Sequence, residues 1–387
     1  MRLLLTFIFL AVLLSPSWVL ADETPVYDLQ PWRTPGNEAF LFARRMKSGW
    51  NLGNTLDCYS DEEFTEEHLA LEAYWTGDYI TASTIEAIRQ AGYASVRIPV
   101  SWHDHADENG NISEEWMDRV QTVVDWVISR NMIAVLNVHH DIGEGWIDVS
   151  QTNILRSTAY LKRLWEQIAD RFQDYDERLV FEGMNEPRLR GTEYEWRFDA
   201  RVSDCTEAAA CVNRLNQTFV DTVRASGGYN PYRYLLVQSY AGSPLTATYV
   251  SFELPDDPAK DRLMLAVHPY IPVDFAMLAD GTDQFDPEEA SDTEQIDAIL
   301  DALYDRYCLF GIPVVIDEYG CIDKNNLPAR VGYIAYLTAK ATQRSMPCFL
   351  WDNGKFEGND ETYGILDRVT LEFRWPEIVK AQLRNGM

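Results

Sequence analysis

Two glutamates stand out by what surrounds them. Glu186 lies in Asn185-Glu186-Pro187, just beyond the apolar run Leu179–Phe181, and Glu318 lies in Asp317-Glu318-Tyr319, directly after Val314–Ile316. The acetal bond between two sugars is cut by one carboxylic acid that protonates the leaving oxygen and one carboxylate on the opposite face of the ring. When the two stand about 5 Å apart, the carboxylate attacks carbon and the anomeric configuration is retained. Glu186 and Glu318 are candidates for such a pair, the first as acid/base and the second as nucleophile.

Further polar residues close other apolar runs. Arg97, in Val96-Arg97-Ile98, carries the charge that would keep Glu318 ionised, whereas Glu186 needs a raised pKa to hold its proton. Asn185 is placed to hydrogen-bond a sugar 2-hydroxyl, a contact that strengthens in the transition state. His139, His268 and Tyr270 can orient the carboxylates and share their protons, Trp351 offers a flat face for a pyranose ring, and Asn54 is a candidate substrate donor. His139-His140-Asp141 with His268 and Glu318 could instead be read as a metal site. Adjacent strand-end side chains point in different directions, however, and ligand spacing of i, i+2 or i, i+4 is missing there. His103 and His105 do alternate by two, but in an Asp- and Asn-rich stretch that reads as surface.

These residues need a scaffold that brings strand ends together. Short apolar runs read as strands at Gly49–Gly53, Ser95–Pro99, Ile133–Val138, Leu179–Met184, Tyr234–Gln238, Leu263–Val267, Pro313–Asp317 and Cys348–Trp351. Amphipathic stretches separate them, among them Thr84–Ala91, Glu114–Arg130, Thr158–Arg171, Asn213–Ser226, Asp292–Tyr307 and Leu327–Gln343, and Trp375–Leu383 follows the last strand. Alternating strands and helices predict a parallel sheet, and eight units predict a closed α/β (β/α)8 barrel, whose active site lies at the carboxyl ends of the strands. The acidic, irregular stretch Pro272–Ser291 after the sixth strand would then shape the cleft.

Residues 1–21 read as a signal peptide: Arg2, an apolar run shorter than the roughly 20 residues a membrane span needs, then small or branched residues before Asp22. The expected domain is a single barrel over 22–387, exported to the extracellular space or the periplasm, with no membrane segment after cleavage. The net charge of −28 disfavours nucleic acid and anionic lipid as partners and suits a neutral substrate. Six cysteines permit disulfides in an exported chain, and Cys205–Cys211, bracketing an Ala-rich turn, is the expected pair. Of 12 tryptophans, Trp75, Trp102, Trp146 and Trp196 fall in loops after strands, where sugar-stacking platforms would lie. Asn111 and Asn216 begin glycosylation sequons.

The set Arg97, His139, Asn185-Glu186-Pro187, His268-Pro269-Tyr270, Glu318 and Trp351 resembles glycoside hydrolase family 5, the cellulase family of clan A. Gly49 to Asp57, Val96 to Trp102, Phe181 to Arg188 and Gly311 to Glu318 are similar to its subfamily 4 endoglucanases, whose members cut cellulose, mixed-linkage β-glucan and xyloglucan. The resemblance implies a secreted endo-β-1,4-glucanase acting on plant cell-wall polysaccharide by a retaining mechanism without cofactor or metal, as a monomer. A β-mannanase, a dedicated xyloglucanase or a non-catalytic glycan-binding barrel are the alternatives. Asp317 and Tyr319 stand where the family pattern has Gly and Phe, Leu350 replaces a second Trp, and Asp204–Val212 reads as an extra loop.

Overall fold

The computed structural model describes residues 24–60, 68–143, 145–358 and 360–387. Segment 1–21 thus lies outside the described residues.

Eight parallel strands close into a barrel in chain order. They are β1 Gly49–Leu52, β2 Ser95–Ile98, β3 Ile133–Asn137, β4 Leu179–Glu182, β5 Leu235–Gln238, β6 Leu263–Val267, β7 Val314–Tyr319 and β8 Cys348–Asp352. Each lies within two residues of its predicted position. Every one of them is almost wholly buried, mostly by apolar residues with polar ones at or near its carboxyl end, as strands covered by helices outside and packed side chains inside must be. In chain order the helices are α1 Glu38–Met46, α2 Ala82–Ala91, α3 Glu114–Ser129, α4 Ile154–Arg171, α5 Ser203–Ala225, α6 Pro244–Ala247, α7 Val273–Ala276, α8 Ala290–Arg306, α9 Leu327–Gln343 and α10 Pro376–Asn385. No described helix is long and apolar enough to cross a membrane.

Helix α1 precedes the strand–helix alternation and was not anticipated. Asn37 caps it by accepting a hydrogen bond from the Phe40 N–H. Its Phe42, Ala43 and Met46 pack with Val135, Val180, Leu236, Met264 and Val315, which fill the barrel floor. The Phe42 ring stacks on Tyr234 at 3.8 Å. The floor is thus sealed by hydrocarbon, and the polar strand ends gather at the opposite mouth.

Two expectations fail at α5. Asp204–Val212 is not a loop but the first turns of a helix that runs unbroken to Ala225, as its Ala-rich composition favours. Cys205 and Cys211, six positions apart on one helix, are separated by about 9 Å of axial rise, beyond the reach of a disulfide. Both are free thiols, as are Cys58, Cys308, Cys321 and Cys348. Asn216 is wholly buried on the same helix, where its amide donates to the Gln238 carbonyl at 2.8 Å, so only the Asn111 sequon is open to modification.

Candidate active site

The register of the barrel places the site. Asn51 of β1 lies opposite Arg97 of β2 on one side and Trp351 of β8 on the other. Arg97 is wholly buried at the centre. Its Nε and Nη2 donate to the two carboxylate oxygens of Glu182, at 2.6 and 2.8 Å. Its Nη1 donates to Glu318 Oε1 at 2.5 Å and to Asn51 Oδ1 at 3.0 Å, and Nη2 also reaches Asn185 Oδ1 at 2.8 Å. One fixed guanidinium fork thereby orients a carboxylate from β4, another from β7, and the amide beside Glu186.

Glu186 adopts a left-handed backbone, with φ +47°, a conformation that costs a residue bearing a side chain. Two hydrogen bonds hold it there: its N–H donates to Gln238 Oε1 at 2.8 Å, and its carbonyl accepts from Arg188 Nη1 at 3.0 Å. The strained turn carries the side chain to His268, whose Nδ1 lies 2.8 Å from Glu186 Oε1 and 3.5 Å from Glu318 Oε2. Tyr270 donates its hydroxyl to that same Glu318 oxygen at 3.2 Å. One oxygen of each glutamate and a ring nitrogen of His268 lie within 4.8 Å of one another. This spacing matches a retaining pair.

Strand β7 departs from regular pairing with β8 between Ile316 and Tyr319. In a regular strand Asp317 and Glu318 would face opposite ways. Here both reach Arg97, Asp317 Oδ2 at 3.5 Å from Nε, because the irregularity turns both carboxylates inward. Asp317 Oδ1 also lies 3.3 Å from His268 Nε2.

Four carboxyl groups thus face the Arg97 guanidinium and the His268 imidazole, with Arg188 3.8 Å from Glu186 Oε2 at the margin. Burial opposes charge on His268, but Glu318, Asp317 and Glu186 outweigh it and raise its pKa well above the usual histidine value. Glu186 is partly buried, yet His268 and Arg188 hold it below the ordinary carboxylate value. Burial, with Glu186 and Asp317, raises Glu318 against His268 and Arg97. The expected split between the two glutamates is therefore reversed in the resting site.

The remaining candidates are placed as follows. His139 is buried and shows no hydrogen bond or ion pair to either glutamate; its Nδ1 lies 3.0 Å from Asn137 Nδ2, and its ring is parallel to Trp351 with centroids 5.9 Å apart. Burial, His140 and Arg97 hold it neutral. Trp351 is partly exposed at the end of β8. Asn54, on the loop after β1 with φ +53°, is engaged through its backbone: the N–H donates to Asp57 Oδ2 and the carbonyl accepts from Arg368. It stands outside the network. Asp141 is turned away from His268 and Glu318, accepting from the Trp102 N–H and the Tyr160 hydroxyl, so the five residues of the metal reading are not gathered into one set.

Among the tryptophans, Trp75 and Trp196 are exposed, the latter with Arg188 over its ring at 3.9 Å, but Trp102 is core and donates to the Asn137 carbonyl. His103 and His105, expected at the surface, are buried against Trp146 and Trp116. Sequence reasoning missed Asn51, Asn137, Glu182 and Gln238 as parts of the site. Each is a polar residue inside or closing an otherwise apolar strand, the one signal that could have found them.

The family profile described as "Cellulase (glycosyl hydrolase family 5)" matches residues 59–357. Endoglucanase 1 of Ruminococcus albus is 37% identical over 369 residues, covering 93% of this chain and 86% of the relative. The cellulase/esterase CelE of Acetivibrio thermocellus is 39% identical over 90% of this chain, which spans only 40% of that longer protein. Among solved structures, a family 5 lichenase from a Caldicellulosiruptor species superposes with TM-score 0.92 at 40% identity, over 94% of this chain and 99% of that one. A subfamily 4 broad-specificity endoglucanase from Ruminococcus champanellensis, with bound cellotriose, gives 0.83 at 36%, over 91% of this chain and all of the other.

Proposed function

The chain belongs to glycosyl hydrolase family 5, the cellulase family, and on that premise we propose that it is a secreted, retaining endo-β-1,4-glucanase of plant cell-wall β-glucans. The observation that carries the reading is the juxtaposition of Glu186 and Glu318, whose facing oxygens lie within 4.8 Å and are bridged by His268. In this reading Glu318, its free direction of attack set by Arg97 and Tyr270, attacks the anomeric carbon as the glycosidic bond breaks. Glu186 delivers the proton to the departing oxygen, then takes one from the water that hydrolyses the glycosyl-enzyme. Asn185, its amide oxygen held by Arg97, turns its N–H donors to the sugar 2-hydroxyl, and Trp351 provides the apolar face under the ring. No cofactor enters the reaction in this reading.

Relatives and structural neighbours named endoglucanase and lichenase support a β-glucan substrate. Export rests on the composition of residues 1–21. The test is reducing-sugar release from carboxymethylcellulose, barley β-glucan, xyloglucan, xylan and mannan, with Glu186→Ala and Glu318→Ala beside the wild type. Activity on the glucans that is lost in both variants supports the reading, and the best substrate sets the backbone preference. A wild type inert on all the glucans overturns it.

A further inference from the structure

Asp317 belongs to none of the roles above, yet it is wholly buried in the centre of the site. Neither of its oxygens makes a hydrogen bond of ordinary length; they face charges instead, Arg97 Nε at 3.5 Å and His268 Nε2 at 3.3 Å. A carboxylate in such a place is costly unless it interacts with positive charge. Arg97 is already engaged by Glu182 and Glu318, so the cation left for Asp317 is an imidazolium on His268.

We infer that Asp317 is a positioning residue that keeps His268 doubly protonated, so that the His268–Glu186 pair stores the proton used by the glycosidic oxygen. This deepens the reading of Glu186 as acid/base and rests on it. Nε2–H faces Asp317 and Nδ1–H faces Glu186 Oε1 at 2.8 Å. When the glycosidic oxygen departs, it takes one proton from the pair, leaving a neutral imidazole beside an ionised carboxylate. The water that cleaves the glycosyl-enzyme returns one proton to the pair, and the site is reset.

Every element packed on His268 bears on this balance. Glu186 and Glu182 face it from β4 and the turn beyond, and Asp317 and Glu318 from β7. Neutral His139 lies just beyond β3, Tyr270 is in its own loop, and the Gln238 amide nitrogen on β5, a donor directed to Glu182 Oε1 at 2.9 Å, lies 3.1 Å from Nε2. Arg97 on β2 opposes the charge but is engaged by Glu182 and Glu318. Of the carboxylates, Asp317 faces the ring nitrogen remote from Glu186. Its charge therefore favours retention of the proton without competing for the hydrogen bond to the acid.

The pair, not either residue alone, titrates in the alkaline limb of kcat/KM. The productive form carries the stored proton, so activity falls as pH rises through the pair's pKa. Asp317→Asn keeps the shape and removes the charge, and an opposite charge at this range is worth about 1–3 pKa units. The expected result is an alkaline limb displaced about 1 pH unit or more toward acid, with the acid limb still present. A limb that stays in place, or moves upward, overturns the inference even if overall activity drops.

The second measurement needs no variant. Nitrogen-15 NMR of the wild-type imidazoles should show His268 carrying protons on both ring nitrogens at pH 7. A singly protonated His268 at that pH overturns the inference. The NMR result is independent of turnover, so it separates failure of this inference from failure of the Glu186 assignment, which the Glu186→Ala assays decide.

Discussion

Arg97 Nη1 donates to Glu318 Oε1 at 2.5 Å while the rest of the same guanidinium grips Glu182 through two hydrogen bonds. The proposed nucleophile is thus held by a group that is itself clamped from the adjacent side of the barrel, and neither side chain is free to rotate. Arg97 is both a structural tie and an electrostatic one. Replacing it by Met leaves buried Glu182 without the cation it hydrogen-bonds and Glu318 without the guanidinium on its Oε1. Arg97→Met should lower stability by about 3–5 kcal/mol, the usual cost of breaking a buried ion pair by removing one partner. Thermal unfolding checks this: a Tm equal to that of the wild type would show the cluster to be balanced without Arg97.

Glu186→Ala removes the proposed proton donor but leaves the proposed nucleophile. Hydrolysis of β-glucan should fall about 10²–10⁴-fold, the usual contribution of general acid catalysis. A dinitrophenyl cellobioside, whose leaving group needs no proton, should form the glycosyl-enzyme nearly as fast as with the wild type. Burst kinetics on both substrates test the difference, and equal losses on the two would deny Glu186 the role of acid.

Gly53 lies under the Trp351 indole: a Cβ added there would come within 2.6 Å of Cζ2. Gly53→Ala must therefore tilt the ring out of its seat. The account predicts a several-fold rise in KM for cello-oligosaccharides, because the sugar loses its flat support, with the fold unchanged by circular dichroism. An unaltered KM would remove Trp351 from the substrate site.

How much of this was readable beforehand depended on chemistry that repeats and chemistry that does not. The strands were readable because each is a short apolar run closed by polar residues, and the strand ends delivered Arg97, Asn185, Glu186, His268, Tyr270, Glu318 and Trp351 to one mouth. Helix α1 was not, since it plugs the barrel floor and lies outside the alternation. In Asp204–Val212 the two cysteines suggest a bridged turn, but helix propensity in the Ala-rich stretch prevails. The inward turn of Asp317 could not be read at all. It depends on a pairing irregularity in β7, which alternation alone would have placed on the outer face. The reversed proton affinities of Glu186 and Glu318 depend on distances to His268 that no spacing in the chain encodes.

The acid side of the pH profile follows from Glu318. Its pKa is raised above the ordinary 4.5 by burial, then by Glu186 and Asp317, against the pull of His268 and Arg97. The reacting form is the carboxylate, which exists only above that pKa, so kcat/KM should fall on acidification at a higher pH than an ordinary glutamate would give. A profile of kcat/KM on a soluble cello-oligosaccharide checks it. A limb at or below the ordinary value would show that Arg97 dominates Glu318 instead.

The assignment of Glu318 as nucleophile of a retaining reaction is tested most directly by trapping the covalent intermediate. The protein is incubated with a 2-deoxy-2-fluoro cellobioside bearing an activated leaving group, and its peptides are then analysed by mass spectrometry. The account predicts one glycosyl adduct per chain, on the peptide containing Glu318 and on that carboxylate. An adduct on another residue, or turnover of the unfluorinated substrate with inversion and no adduct, would contradict it.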